Sequence, residues 1–157
     1  MNEQEVRTVL DWDHIEKYRE NNRLEAKKAQ GGLPHSIWET YSAFANTCGG
    51  LILLGVIENE DKSFSSVPLD DPEQLAADFW NTLNRPGVVS ANVLEPEDVR
   101  VLESGGNRIV VIEVPRADEA RRPVYIGEDP CSGSYWRSGE GDYRIPREQV
   151  LQMLEEQ

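Results

Sequence analysis

The sequence predicts an α/β (α+β) fold, a single domain with a mixed β-sheet flanked by helices. Three observations carry that prediction. A helical pattern runs through Gly49-Gly50 directly into the apolar run 51–57, with no loop between them. Two β-rich runs, 99–103 and 108–114, flank Ser104-Gly105-Gly106-Asn107, a turn composition that joins strands into a hairpin. The 157 residues, 38% of them hydrophobic, suffice for one ordinary core and fall short of two comfortable domains.

Taken in order, Asp11 reads as the N-cap of a short helix over about 12–20, with Leu10 and Ile15 placed as a hydrophobic staple. Residues 23–27, Arg-Leu-Glu-Ala-Lys, alternate polar and apolar with period two, as a half-buried strand does, and end near Gly31-Gly32. Pro34 suits the first turn of a second helix, in which Ile37, Tyr41, Phe44 and Ala45 share one apolar face. That helix stops at Gly49-Gly50, where positive φ costs little. Residues 51–57 are too uniformly apolar for an exposed strand and read as a central strand covered on both faces.

Asp71-Pro72-Glu73-Gln74 opens a third helix with an N-cap, a proline in first position and a reciprocal glutamine at the third. Leu75, Phe79 and Leu83 carry its buried stripe, and Asn84-Arg85-Pro86-Gly87 ends it. Beyond the 99–114 hairpin come a polar connection over 116–122, a short strand over 124–126, a loop over 127–134 and a strand-like 135–137. Gly139-Glu140-Gly141-Asp142 turns, and Pro146 opens a last helix that buries Val150, Leu151 and Leu154. The domain core spans about 12–154.

The net charge of −13, from 29 acidic and 16 basic residues, weighs against nucleic acid, because affinity for phosphate backbones comes mainly from Lys and Arg. It favours a basic protein partner instead. Distribution still matters, since a local field can differ in sign from the whole. Residues 17–28 hold Lys17, Arg19, Arg23, Lys27 and Lys28 against Glu20 and Glu25, a local net of +3.

No run approaches the roughly 18 apolar residues that span a bilayer, and the opening Met1-Asn2-Glu3-Gln4-Glu5 is acidic where a signal peptide is basic. A soluble, cytoplasmic protein without a membrane partner is expected. Cys48 and Cys131 form neither a disulfide framework nor a CxxC pair, so reduced thiols are expected. His14 and His35 are too poorly partnered with them for a zinc site, and Ser36, Ser42 and Cys48 lack the setting of an activated nucleophile.

Arg137 and Arg144 sit beside Tyr135, Trp136 and Tyr143, the mixture of guanidinium groups and aromatic faces that single-stranded nucleic-acid surfaces use. The same residues also fit a hairpin whose aromatics bury one face while its arginines answer Glu140 and Asp142 on the other. Strand alternation sets Trp136 opposite its two neighbours. Asn46 and Thr47 precede the glycines, where short polar side chains cap a helix and bond the turn. Asn46 and the Gly49 and Gly50 amides could alternatively line a phosphate-sized pocket, although no Gly-Lys-Ser/Thr follows. Glu20, Glu25 and an acid after the central strand could converge on Mg²⁺ or Mn²⁺, hard ions that prefer oxygen ligands, or simply face solvent.

Three motifs in this order, Glu20-Asn21-Asn22-Arg23-Leu24-Glu25-Ala26-Lys27, the junction Ala43-Phe44-Ala45-Asn46-Thr47-Cys48-Gly49-Gly50 with its following Leu54-Gly55-Val56, and Tyr135-Trp136-Arg137-Ser138-Gly139, resemble the Schlafen-type, Alba-like DNA-binding domain family. The resemblance runs from about Ile15 to Leu154. It implies binding of DNA or RNA, often within a regulator of transcription, and here the phosphate contacts would fall to Arg23, Lys27, Lys28, Arg137 and Arg144. For members that cleave RNA it implies an acidic triad, matched by Glu20, Glu25 and Glu58, which would hold Mg²⁺ or Mn²⁺. Ala26 departs from the pattern, standing where an aromatic is common. A pseudo-dimeric cradle in the group makes a homodimer a further expectation. The expected function is a nucleic-acid-binding module; the alternatives are a protein-interaction module that has lost that surface and a metal-dependent endoribonuclease.

Overall fold

The apolar run after the two glycines forms the inside of a four-stranded sheet. In the computed structural model, which describes residues 10–157, the chain forms in order β1 (Leu24–Lys27), α1 (Ile37–Asn46), β2 (Gly50–Leu54), β3 (Val56–Glu58), β4 (Phe64–Ser66), α2 (Pro72–Leu83), β5 (Val99–Ser104), β6 (Asn107–Val114), α3 (Pro130–Gly133), β7 (Tyr135–Ser138), β8 (Gly141–Arg144) and α4 (Arg147–Glu155). The acidic opening at residues 1–5 lies outside the described residues. The main sheet has the order β1-β2-β6-β5, with β1 parallel to β2 and the other pairs antiparallel. The pairs β3–β4 and β7–β8 are separate two-stranded sheets.

Alternation along β2 and β6 divides the core in two. Ile52, Leu54, Val110, Ile112 and Val114 face α1 and α2, packing with Tyr41, Phe44, Phe79 and Leu83. Leu51, Leu53, Ile109 and Val111 face the other way, against Ile15, Val56 and Phe64. A strand covered on both faces is therefore apolar at every position. Each such buried side chain contributes about 1.5–3 kcal/mol. Trp38 of α1 stacks on Phe79 of α2 with ring centroids 5.2 Å apart and 8° between planes, which locks the two helices together.

The glycine junction is demanded by space. Gly49 adopts φ +73°, and a Cβ there would lie 2.7 Å from the Val114 carbonyl oxygen. At Gly50 a Cβ would meet the Arg23 carbonyl at 2.8 Å and the Phe44 ring at 2.9 Å. Gly105 and Gly106, at φ +59° and +84°, make the two-residue turn of the β5–β6 hairpin as expected.

Several local expectations are corrected. The first helix is a 3-10 turn over Trp12–Lys17, and Asp11 caps it by position only, its carboxylate accepting from Lys17 Nζ at 2.9 Å. Pro34 precedes α1, which starts at Ile37. The central strand breaks at Gly55, φ +88°, so 56–58 leaves the main sheet to pair with β4. Asp71 caps α2 by accepting from the Gln74 amide, but the Gln74 side chain donates to Asp78 rather than back to the cap. Residues 124–126 make only isolated bridges, to Val89 and Ser134. On α4 Val150 is buried, whereas Leu151 is 42% exposed. Cys48 and Cys131 are free.

Candidate functional site

The three motifs meet around one side chain. Arg137 of β7 has no exposed side-chain surface, and its guanidinium lies 5.0 Å over the Phe44 ring of α1. Nη1 donates to Glu25 Oε1 and to Asp142 Oδ1, both at 2.8 Å. Nη2 donates to the carbonyls of Asn21 and Leu24, at 2.9 and 3.3 Å, and Nε donates to Asn21 at 3.2 Å. Asp142 accepts further from Thr40 Oγ1 at 2.7 Å. One planar cation thus ties the 20–25 turn, α1 and the β7–β8 hairpin together, a geometry that lysine cannot reproduce. Its N–H groups face protein acceptors, which places Arg137 inside the scaffold and away from any surface phosphate.

Asn46 and Thr47 extend the same bracing. Asn46 Nδ2 donates to Ser42 Oγ and to the carbonyls of Val124 and Tyr135, while its Oδ1 accepts from the Val124 amide at 2.7 Å. Thr47 Oγ1 accepts from the Arg137 amide at 2.9 Å. The pair does not bond its own turn, as capping would require, but clamps two distant segments onto the end of α1. Gly49 donates to the Phe44 carbonyl at 2.7 Å, closing the helix.

Glu20 and Glu25 meet, and the charge of Glu58 acts on Glu20. The 20–25 turn folds Glu20 back so that its Oε2 accepts from the Ala26 amide at 3.0 Å. Partial burial, a hydrogen bond to Glu25, and the charges of Glu25 and Glu58 push the Glu20 carboxyl up to about 8, against the Ala26 bond, which lowers it. The shift favours a protonated Glu20 carboxyl hydrogen-bonded to Glu25, whose other partner is Arg137. Glu58 meanwhile accepts from Lys62 Nζ at 3.3 Å. An amide, a guanidinium and an ammonium each engage one oxygen of these carboxyl groups, so a divalent ion would have to compete with them. Among the described residues no three His, Cys, Asp or Glu side chains sit so as to hold a metal.

The remaining predicted cations are distributed differently. Arg23, Lys28 and Arg144 are exposed, and Lys27 is half-buried, donating to Ser36 Oγ at 3.0 Å. The β7–β8 register pairs Trp136 with Tyr143, and these two face outward, 37% and 56% exposed, while Arg137 points in. That hairpin is inverted relative to one that buries its aromatics. Sequence reasoning passed over Arg116 and Arg122, which line a cavity with Trp136; the basic residues within 116–122 were the available signal.

The family model described as Schlafen, AlbA_2 matches residues 15–146, and the chain belongs to that family. Among solved structures, the chain is similar to the N-terminal domain of a protein from Nitrosomonas europaea described as related to the ATP-dependent DNA helicase RecG. The two share 29% identity over 85% of this chain and 90% of that one, with a TM-score of 0.62. The DIP2311 protein from Corynebacterium diphtheriae shares the fold at 19% identity and a TM-score of 0.55, covering 84% of this chain and 23% of that one. No curated protein matches the chain. The family and the helicase-related neighbour fit a nucleic-acid-related module.

Proposed function

We propose that the domain binds single-stranded nucleic acid, with the outward Trp136–Tyr143 pair as a stacking platform and Arg23, Lys28 and Arg144 as phosphate contacts. The observation that carries this reading is the pair itself: two large aromatics opposite each other on adjacent strands, both left exposed. Stacking on such a pair is worth about 1–3 kcal/mol per base and tolerates sequence, so a strand of any composition can be held. Arg137 serves by fixing the platform to α1 and to the turn carrying Arg23. The test is fluorescence anisotropy with labelled oligonucleotides of DNA and RNA at low salt. Binding weakens in Tyr143→Ala and in Arg144→Ala and falls as salt rises; an acidic protein that ignores all strands at low ionic strength, yet retains a stoichiometric basic protein partner, is an interaction module instead.

A second reading, cleavage of RNA with Mg²⁺ or Mn²⁺, is favoured by the contact of Glu20 with Glu25 and the charge of Glu58 acting on Glu20, and opposed by the partners these carboxyl groups already have. Metal-stimulated cleavage that disappears in Glu25→Gln would establish it, and its absence with either metal would remove it.

A further inference from the structure

Between the 116–122 segment, β7 and α4 lies a cavity of about 260 Å³ whose lining includes Arg116, Arg122 and Trp136. Ile145 and Met153 add apolar walls, and Glu119 and Glu156 contribute carboxylates. Arg122 Nε is shielded from solvent and has no hydrogen-bond partner, the one such buried side-chain atom among the described residues. A buried donor left unpaired is costly, and native structures rarely keep one without a purpose.

We propose that this cavity binds one phosphorylated nucleotide unit, its base against Trp136 and its phosphate on Arg116 and Arg122. A guanidinium takes phosphate oxygens through short, charge-assisted, often bidentate bonds, which the two arginines lining the cavity can offer. The indole offers a flat face to a flat ring. Glu119 and Glu156 oppose a bare anion and reward a ligand that also carries donors, which sugar hydroxyls and exocyclic amines provide. The volume sits near the lower bound of about 300 Å³ for ligand pockets, so it admits one unit and no longer stretch of chain. The chemistry is shared by a free mononucleotide and by the phosphorylated end of a strand. The inference deepens the proposed function, since Trp136 serves both, yet it rests on a separate measurement.

Calorimetric titration of the full chain with AMP, GMP, CMP and UMP tests it, with adenosine and inorganic phosphate as partial ligands. At least one monophosphate binds more tightly than either partial ligand, and Arg122→Ala and Trp136→Ala each weaken it about tenfold or more, the equivalent of one lost contact. Arg116→Ala, at an exposed position, does the same should Arg122→Ala fail to fold, and Arg85→Ala changes nothing. No binding of any monophosphate by about 1 mM, near −4 kcal/mol, overturns the proposal, as does affinity indifferent to both Arg116 and Arg122. Oligonucleotides with and without a terminal phosphate separate the sources: an Arg122-dependent gain from the phosphate identifies a strand end, and binding of monophosphates alone identifies a free nucleotide. Strands that bind without regard to terminal phosphate, beside monophosphates that do not bind, remove the cavity and leave the stacking platform standing. If monophosphates bind and strands do not, the platform falls and the cavity stands.

Discussion

Arg137 shows how far a residue's type can mislead about its exposure. A cation flanked by aromatics looks like a phosphate contact in sequence, but here two carboxylates and two carbonyls from the 20–25 turn and β8 enclose it. Removing one partner from a buried charged network leaves the others uncompensated, so Arg137→Ala should destabilise by about 3–5 kcal/mol in urea unfolding. Arg137→Lys should recover only part of that, because an ammonium cannot serve acceptors arranged around a planar fork. Glu20 sets a pH signature beside it. Its proton is held more tightly in the folded chain, about 8 against an ordinary 4.5, so its contribution to stability is complete below 4.5 and drains away as pH rises to about 8. Glu20→Gln mimics the protonated form and cannot ionise. Its stability relative to the native protein should climb across that window and level off above it, measured by urea midpoints at about pH 5, 7 and 9; a constant difference would refute the proton shared with Glu25.

At the scale of elements, the helix-to-strand junction is fixed by clearance. Gly50→Ala places a methyl 2.8 Å from a backbone oxygen and 2.9 Å from the Phe44 ring, and should cost about 1–3 kcal/mol by overpacking, whereas Gly31→Ala meets nothing within 4 Å and should stay within about 0.5 kcal/mol. Thermal unfolding of the two variants checks the contrast. This junction and the β5–β6 hairpin were legible in the sequence because their signals are local: a period change across two glycines, and a Gly-Gly turn between β-rich runs. The α2 stripe and its Asp71 cap were legible for the same reason. What could not be read depends on partners far along the chain. Residues 124–126 resemble a strand, yet the Val124 amide and carbonyl go to Asn46 and Ser42, about eighty positions away, Tyr125 bonds Ser90, and the Ile126 amide donates to the Gly133 carbonyl, in place of a ladder. The orientation of the β7–β8 hairpin follows from acceptors near residues 21–25 that no pattern within 135–144 reveals. The convergence of Glu20 and Glu25 was readable from the family motif; the proton between them, which arises from burial, was not.

For the whole molecule, a net charge of −13 on 157 residues sets two electrostatic effects against each other. Self-repulsion among the acids works against the compact state, while the attraction of Arg23, Lys28 and Arg144 for a phosphate strand works locally against the global field. Both are screened by salt, but with opposite consequences. Raising ionic strength from about 0.01 to 0.1 M shortens the Debye length from ~30 to ~10 Å. Over that range the repulsion relaxes and the unfolding midpoint should rise. The same change should lower strand affinity, because releasing counterions into a saltier solution gains less entropy. Three exposed phosphate contacts on a single strand predict a log–log salt slope of about −2, and each of Arg23→Ala, Lys28→Ala and Arg144→Ala should flatten it by about 0.7. Stability and affinity measured across one salt series therefore move in opposite directions if the cations engage phosphate. Affinity that holds steady or strengthens with salt, while the midpoint still rises, would mean that the strand meets the acidic surface and that these three side chains do not contact it.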